Sequence, residues 1–112
     1  MKVLVCGSRT YTNQDPVREE LAKLPADAVI IHGAARGADS LAANIARDLG
    51  LQVEGYPADW DKYGKSAGYR RNIEMLSQKP DLVIAFWDGV SPGTAHTIQE
   101  ARKRGIPVNV IM

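Results

Sequence analysis

Three short segments of this chain concentrate residue types that handle anions. Gly7, Ser8 and Arg9 stand together near the N-terminus. Gly33, Ala34, Arg36, Gly37, Asp39 and Ser40 follow in "HGAARGADS", and Ser91, Gly93 and Thr94 in "DGVSPGT". Glycine lets main chain approach a bound group closely, a hydroxyl adds a donor, and arginine brings a planar cation matched to phosphate or carboxylate. Two of the segments run directly into helical patterns, whose free N–H groups and dipole also favour an anion. Each residue has a plainer reading as well. Glycine after a strand makes a turn, Asp39, Ser40 and Thr94 are ordinary helix caps, and Arg9 and Arg36 suit a solvated surface. What favours binding is that all three segments are expected on one edge of the fold.

A fourth segment, "DWDKYGKSAGYRRN" over residues 59–72, adds Lys65, Gly68, Arg71 and Asn72. Its "GKS" has the ending of a phosphate-binding G-x-x-x-x-G-K-[ST] loop, but the first glycine of that motif falls on Asp59, and Trp60, Asp61 and Tyr63 are too bulky or acidic to wrap a triphosphate. The segment is therefore read as the approach to a helix in which Asn72 falls near the boundary of the buried face and Arg71 reaches toward the N-terminal end; a charged, solvent-facing helix start is the plainer alternative.

The elements that must position these residues follow from the hydrophobic pattern. "KVLVC", "AVIIH", "DLVIAFW" and "PVNVIM" are nearly continuous in apolar, largely β-branched residues, as strands covered on both faces read, and "LQVEGY" is a weaker fifth run. Between them lie helical patterns. The first is expected over about 16–23, with Asp15 as N-cap, Pro16 at the first position and Val17, Leu21 and Leu24 inward. The second follows Asp39 or Ser40, buries Leu41, Ile45 and Leu49 and stops at Gly50. The third follows Ser66 with Tyr69, Ile73 and Leu76 inward. The fourth starts near Thr94, buries Ala95, Ile98 and Ala101, and stops at Gly105. Strand alternating with helix predicts a single α/β domain over 1–112: a Rossmann-like, doubly wound parallel sheet of five strands in three αβα layers, order 3-2-1-4-5. Ligands of such sheets sit beyond the carboxyl ends of the strands, where the strand order reverses, and the glycine-bearing loops belong there.

Composition narrows the partners. A chain of 112 residues with 45% hydrophobic and 24% charged residues suits one small globular core. No apolar run approaches the roughly 20 residues of a membrane span, and the N-terminal run leads straight into a glycine turn, so a cytoplasmic protein without membrane partners is expected. A net charge of +1 disfavours nucleic acid as partner. Cys6 has no partner for an internal disulfide and reads as a buried thiol. His32 and His96 show no metal-like spacing with it, so neither metal nor cofactor is expected. There is no G-x-G-x-x-G and no G-x-S-x-G. An exposed Trp60 or Trp87 makes a homo-oligomer the expected state.

Taken together, "GSR", "HGAARGADSLA", "YPADWDKYGKSAGYRRNIEML" and "DLVIAFW…PGT" resemble the SLOG superfamily of Rossmann-like domains, in particular its YspA-like members, over almost the whole chain. The resemblance implies a nucleotide or nucleotide-derived ligand at the strand ends, with Trp87 among the lining residues. Some members of the superfamily sense NAD- or ADP-ribose-derived signals in bacterial or phage defence. Others, the LOG-type enzymes, are phosphoribohydrolases that cleave the N-glycosidic bond of nucleoside monophosphates, and more distant ones process DNA. The LOG pattern PGGxGTxxE matches Gly93 and Thr94, but its acid falls on Thr97, and Glu100 lies a further turn along; Arg71 matches its arginine. Half of that enzyme's pair is missing. Asp39, Asp59, Asp61, Glu74 and Asp88 are other carboxylates that could serve, with Arg71, Glu100 and Asp39 the candidates for catalysis. The expected function is thus a sensor or sequestering module for an ADP-ribose/NAD-related or nucleoside phosphate ligand; the alternative is a nucleotide N-glycosidase.

Overall fold

Val3, Leu4 and Val5 have no exposed surface at all. A run of this kind is stable only where a strand is covered on both faces, and the computed structural model, which describes residues 1–112, places it at the centre of a sheet. This strand, β1 (Lys2–Gly7), lies between β2 (Val29–His32) and β4 (Leu82–Phe86). Strand β3 (Gln52–Gly55) pairs with β2 and β5 (Val108–Ile111) with β4, every pairing parallel, in the expected order 3-2-1-4-5. Leu4 stands level with Ile31 on one side and Val83 on the other.

Successive side chains of a strand face opposite ways, so the two halves of β1 enter different cores. Val3 and Val5 join Ile30, Ile84 and Phe86 beneath α1 (Gln14–Ala22) and α2 (Ala38–Asp48). Leu4 and Cys6 join Ile31, Val83 and Ala85 beneath α4 (Ala67–Ser77) and α5 (Pro92–Lys103). The result is a three-layer Rossmann-type fold. No helix is long and apolar enough to cross a membrane.

Local chemistry shifts several helix boundaries from their expected places. Helix α1 is capped by Asn13, whose side chain accepts from Asp15 N, rather than by Asp15; Pro16 still falls in the first turn, where its missing N–H costs nothing. Helix α2 begins at Ala38 with Gly37 at the cap position, so Asp39 is already inside it, and Leu49 ends up at its exposed C-terminal cap. Helix α5 begins at Pro92, a residue whose fixed φ suits the first helical position, with Ser91 before it rather than near Thr94. In α4 the buried residues are Ala67, Asn72, Met75 and Leu76. Tyr69, expected inward, is 45% exposed and lies edge-on to His96 at 4.6 Å between ring centroids.

One element was not anticipated. Between β3 and α4 the chain makes a single helical turn, α3 (Trp60–Tyr63), capped by Asp59, whose carboxylate accepts from Lys62 N at 3.1 Å; a 3-10 turn over Gly64–Ser66 follows. The "GKS" letters form that 3-10 turn and not a phosphate loop.

Candidate functional site

The loop after β1 ties the strand ends together. Ser8 is buried: its N–H donates to Phe86 O (3.0 Å), its carbonyl accepts from Ala38 N (3.1 Å), and its Oγ accepts from Asp88 N (3.0 Å). One residue thereby joins the loops after β1, β2 and β4. The approach requires glycine at Gly37, where φ is +72° and a Cβ would fall 2.3 Å from Ser8 O.

Two aspartates organise the flanking loops. Asp39, at the start of α2, turns its Oδ2 back to accept from Gly33 N (2.8 Å) and Ala35 N (3.4 Å), while its Oδ1 takes no donor from the protein. Burial pushes its pKa up to about 6, against the pull of those hydrogen bonds and of Arg71 and Arg9. Asp88, after β4, accepts from Val90 N (2.9 Å), Ser91 N (2.8 Å) and Ser91 Oγ (2.8 Å), and these bonds hold its pKa down to about 2. Between β2 and α2 the loop carries Ala34 at φ +57°, a conformation that costs a non-glycine residue of order 1 kcal/mol or more. It is held by His32, whose Nδ1 accepts from Ala34 N (3.0 Å); burial keeps this imidazole's pKa low, hence neutral.

A polar chain crosses the mouth of the sheet. Arg71 donates from Nη1 to Gly33 O and from Nε to Asn72 Oδ1 (3.0 Å); Asn72 in turn donates to Gly93 O (3.3 Å) and lies 3.3 Å from His96 Nδ1. Gly33 makes room for the guanidinium: a Cβ there would sit 2.5 Å from Arg71 Nη1. Asn72 is buried on α4 at the place where the helical repeat would otherwise carry an apolar residue. Thr97 is likewise buried on α5 and donates to Gly93 O (3.3 Å).

These groups frame two adjoining clefts. The first, about 390 Å³, is lined by Gly7, Arg9, Asp39, Arg71, Asn72, Ser91, Gly93 and Thr94 from among the expected residues, and by Cys6, Thr10, Ala35, Met75, Asp88, Pro92 and Thr97 besides. The second, about 350 Å³, is lined by Arg9, Gly33, Ala34, Ala35, Arg36, Pro57, Ala58, Trp60 and Arg71. Arg9 and Arg71 stand in both. At the α5 end of the first cleft, Ser91 makes no side-chain cap, Pro92 has no N–H, and the N–H groups of Gly93 and Thr94 meet no protein acceptor. Cys6 reaches this cleft as a thiol whose burial, with Asp39 nearby, pushes its pKa far up, so it is no nucleophile at neutral pH.

Other expected residues lie elsewhere. Ser40 donates to Ala35 O and supports the loop; Gly37 and Ser8 are packing and hydrogen-bonding supports rather than lining. Lys65, in the exposed 3-10 turn, lines neither cleft, and Gly68 lies beneath Trp60 and Arg71. Trp87 packs against the second core and donates from its indole to Ser91 O (3.1 Å). Glu100 is bound to Arg104 (3.0 Å), Lys103 (3.6 Å) and His96 (3.9 Å) on the outer part of α5, away from both clefts. Thr10 and Pro57 have no signal of type or spacing that singles them out, Trp60 stood out only as an aromatic expected at the surface, and Thr97 only as the place where the LOG pattern has its acid.

The family model for the YspA, cpYpsA-related SLOG family matches residues 1–63, which include the β1 and β2 loops just described. The chain belongs to that family. A relative within reach of the whole chain is the Gene 61 protein of Mycobacterium phage D29, 42% identical over 118 aligned positions that cover 96% of this chain and 93% of the phage protein. Among solved structures, DNA processing protein A from Streptococcus pneumoniae superposes with a TM-score of 0.81 at 22% identity, over 99% of this chain and 50% of that one. The chain thus spans half the length of that protein, and the likeness is one of fold. Family and fold together make this a Rossmann-like, nucleotide-related module.

Proposed function

We propose that the protein binds a nucleotide or nucleotide-derived small molecule, of the ADP-ribose/NAD-related or nucleoside phosphate class, at the carboxyl ends of its strands, as a sensor or sequestering module. The observation that carries this reading is the grouping of Arg9, Arg36 and Arg71 around adjoining clefts with no salt bridge to any of the three, next to two open N–H groups at the start of α5. Guanidiniums without a carboxylate partner and free helix N–H groups are what a phosphate needs. The ligand class also suits the family. Thermal shift with ADP-ribose, NAD and AMP tests it: a ligand at a hundred times its Kd adds about 2.7 kcal/mol of stability. Arg71→Ala should weaken binding at least about tenfold, and Arg102→Ala, on the outer face of α5, should leave it unchanged. Absence of any shift with all three compounds would sink the reading.

A second reading, cleavage of the N-glycosidic bond, draws on Asp39. Its pKa of about 6 and its open Oδ1 in the first cleft are properties of a group that exchanges a proton near neutral pH. Against it stands Thr97, where the LOG pattern has its acid. Release of free base from AMP or NAD, abolished in Asp39→Asn, would favour cleavage over simple binding.

A further inference from the structure

The two clefts differ in charge although they share Arg9 and Arg71. The first sets those arginines against Asp39 and Asp88 and carries the hydroxyls of Thr10, Ser91, Thr94 and Thr97 and the Asn72 amide beside Cys6 and Met75. The second adds Arg36 and contains no carboxylate. Its far wall is Trp60 with Pro57 and Ala58, and half of the Trp60 surface is exposed. The Arg9 guanidinium lies 5.9 Å from the centroid of the indole ring, and the ring edge stands near Gly68, which has no Cβ to crowd it. An exposed aromatic ring beside guanidiniums that have no carboxylate partner is suited to an aromatic base attached to phosphate. Hydroxyl and carboxylate groups, by contrast, suit a sugar.

Building on the proposed function, we infer that the ligand has a ring at each end of a diphosphate bridge: the bridge between Arg9 and Arg71, a sugar in the first cleft, and a base stacked on Trp60 in the second. The second cleft is thereby the subsite that distinguishes such a ligand from a single sugar phosphate. Each cleft falls in the size range of a small-molecule site on its own, and the arginines common to both lie where a bridge would cross.

Isothermal titration with ribose 5-phosphate and with ADP-ribose, on the wild-type chain, Trp60→Ala and Trp60→Phe, tests the assignment. ADP-ribose should bind about tenfold or more tightly than ribose 5-phosphate, the usual effect of stacking one base on an aromatic ring. Trp60→Ala should weaken ADP-ribose about tenfold while leaving ribose 5-phosphate unchanged, and Trp60→Phe should keep most of the ADP-ribose affinity. In a Trp87→Phe variant, ADP-ribose but not ribose 5-phosphate should quench the remaining indole, a readout that does not depend on the Trp60 variants folding. Equal affinities for the two compounds, or ADP-ribose binding indifferent to Trp60→Ala, would overturn the subsite while leaving nucleotide binding intact. If neither compound binds, nucleotide binding itself fails and the subsite with it. A single-stranded oligothymidylate that binds more tightly than ADP-ribose and loses affinity in Trp60→Ala would reassign the second cleft to nucleic acid and overturn the proposal.

Discussion

Asp39 and Asp88 do the same local work under opposite electrostatics. Each accepts two main-chain N–H groups and so shapes a loop at the end of a strand. Asp39 does it in the interior, where lost hydration outweighs its hydrogen bonds and its arginine neighbours; Asp88 does it at the surface, where the bonds act without that penalty. The first is a carboxylate the fold ionises at a cost, the second one the fold prefers ionised. A loop anchor and a proton-exchanging group can therefore have the same bonding pattern, and burial separates them.

The largest expected effect tests the packing that gives Asp39 its burial. Gly37→Ala puts a Cβ at positive φ against Ser8 O and the Arg9 main chain, and should cost about 3 kcal/mol or more. Gly93→Ala, on the Asp88 side, has open space and should stay within about 0.5 kcal/mol of wild type in urea unfolding. Equal losses would mean that the two loops are equally packed.

Next in size is the pH dependence carried by Asp39. Its pKa is raised from 3.8 to about 6, so the folded chain holds this proton more tightly than the unfolded chain does. The stability it contributes is present below pH 3.8 and is lost as pH rises through 6, by about 2–3 kcal/mol in all. Asp39→Asn mimics the protonated form, so its stability relative to wild type should grow between pH 4 and 7. A difference that stays flat over that interval contradicts the raised pKa.

The smallest effect belongs to Asp88, and its sign is reversed. With a pKa lowered from 3.8 to about 2, its contribution is present above 3.8 and lost as pH falls through 2. Asp88→Asn should lower Tm at pH 7, a difference that closes in acid. A Tm deficit that persists at pH 2 would show that the lost hydrogen bonds, rather than the charge, carry the effect.

How much of this could be read from the letters depended on periodicity. Strand order and layering were legible because the inner strands are continuously apolar, and two-sided burial leaves that trace unmistakably. The loops that meet at the strand ends were legible as a group through their glycines, arginines and hydroxyls. Individual roles were not. Asp39 has the residue type of a cap, yet it serves as an acceptor for the preceding loop, a choice made by the tight passage at Gly37. Tyr69 fits an inward i, i+4 series with Ile73, but Asn72 takes the buried position to complete the chain from Arg71 to Gly93. Trp60 sits in a helix of one turn, too short to leave any pattern. Side-chain direction in such places is decided by tertiary contacts, which a local pattern does not contain.

The central place of β1 bears on how the chain is made. Its neighbours arrive at very different times: β2 begins at Val29, but β4, paired through Val3 and Leu82, closes only when the chain reaches Phe86. At the usual pace of about 5–20 residues per second, the first strand synthesised waits several seconds for its second partner. During that wait one long side of an apolar strand has nothing to pair with. Early folding of β1, α1, β2 and α2 into a half-sheet can bury one face of it, but the other edge stays open until most of the chain has been translated. Docking of β4 covers that edge of β1 and brings in the Asp88 side of the cleft, so a chain cut short before Phe86 should aggregate rather than bind.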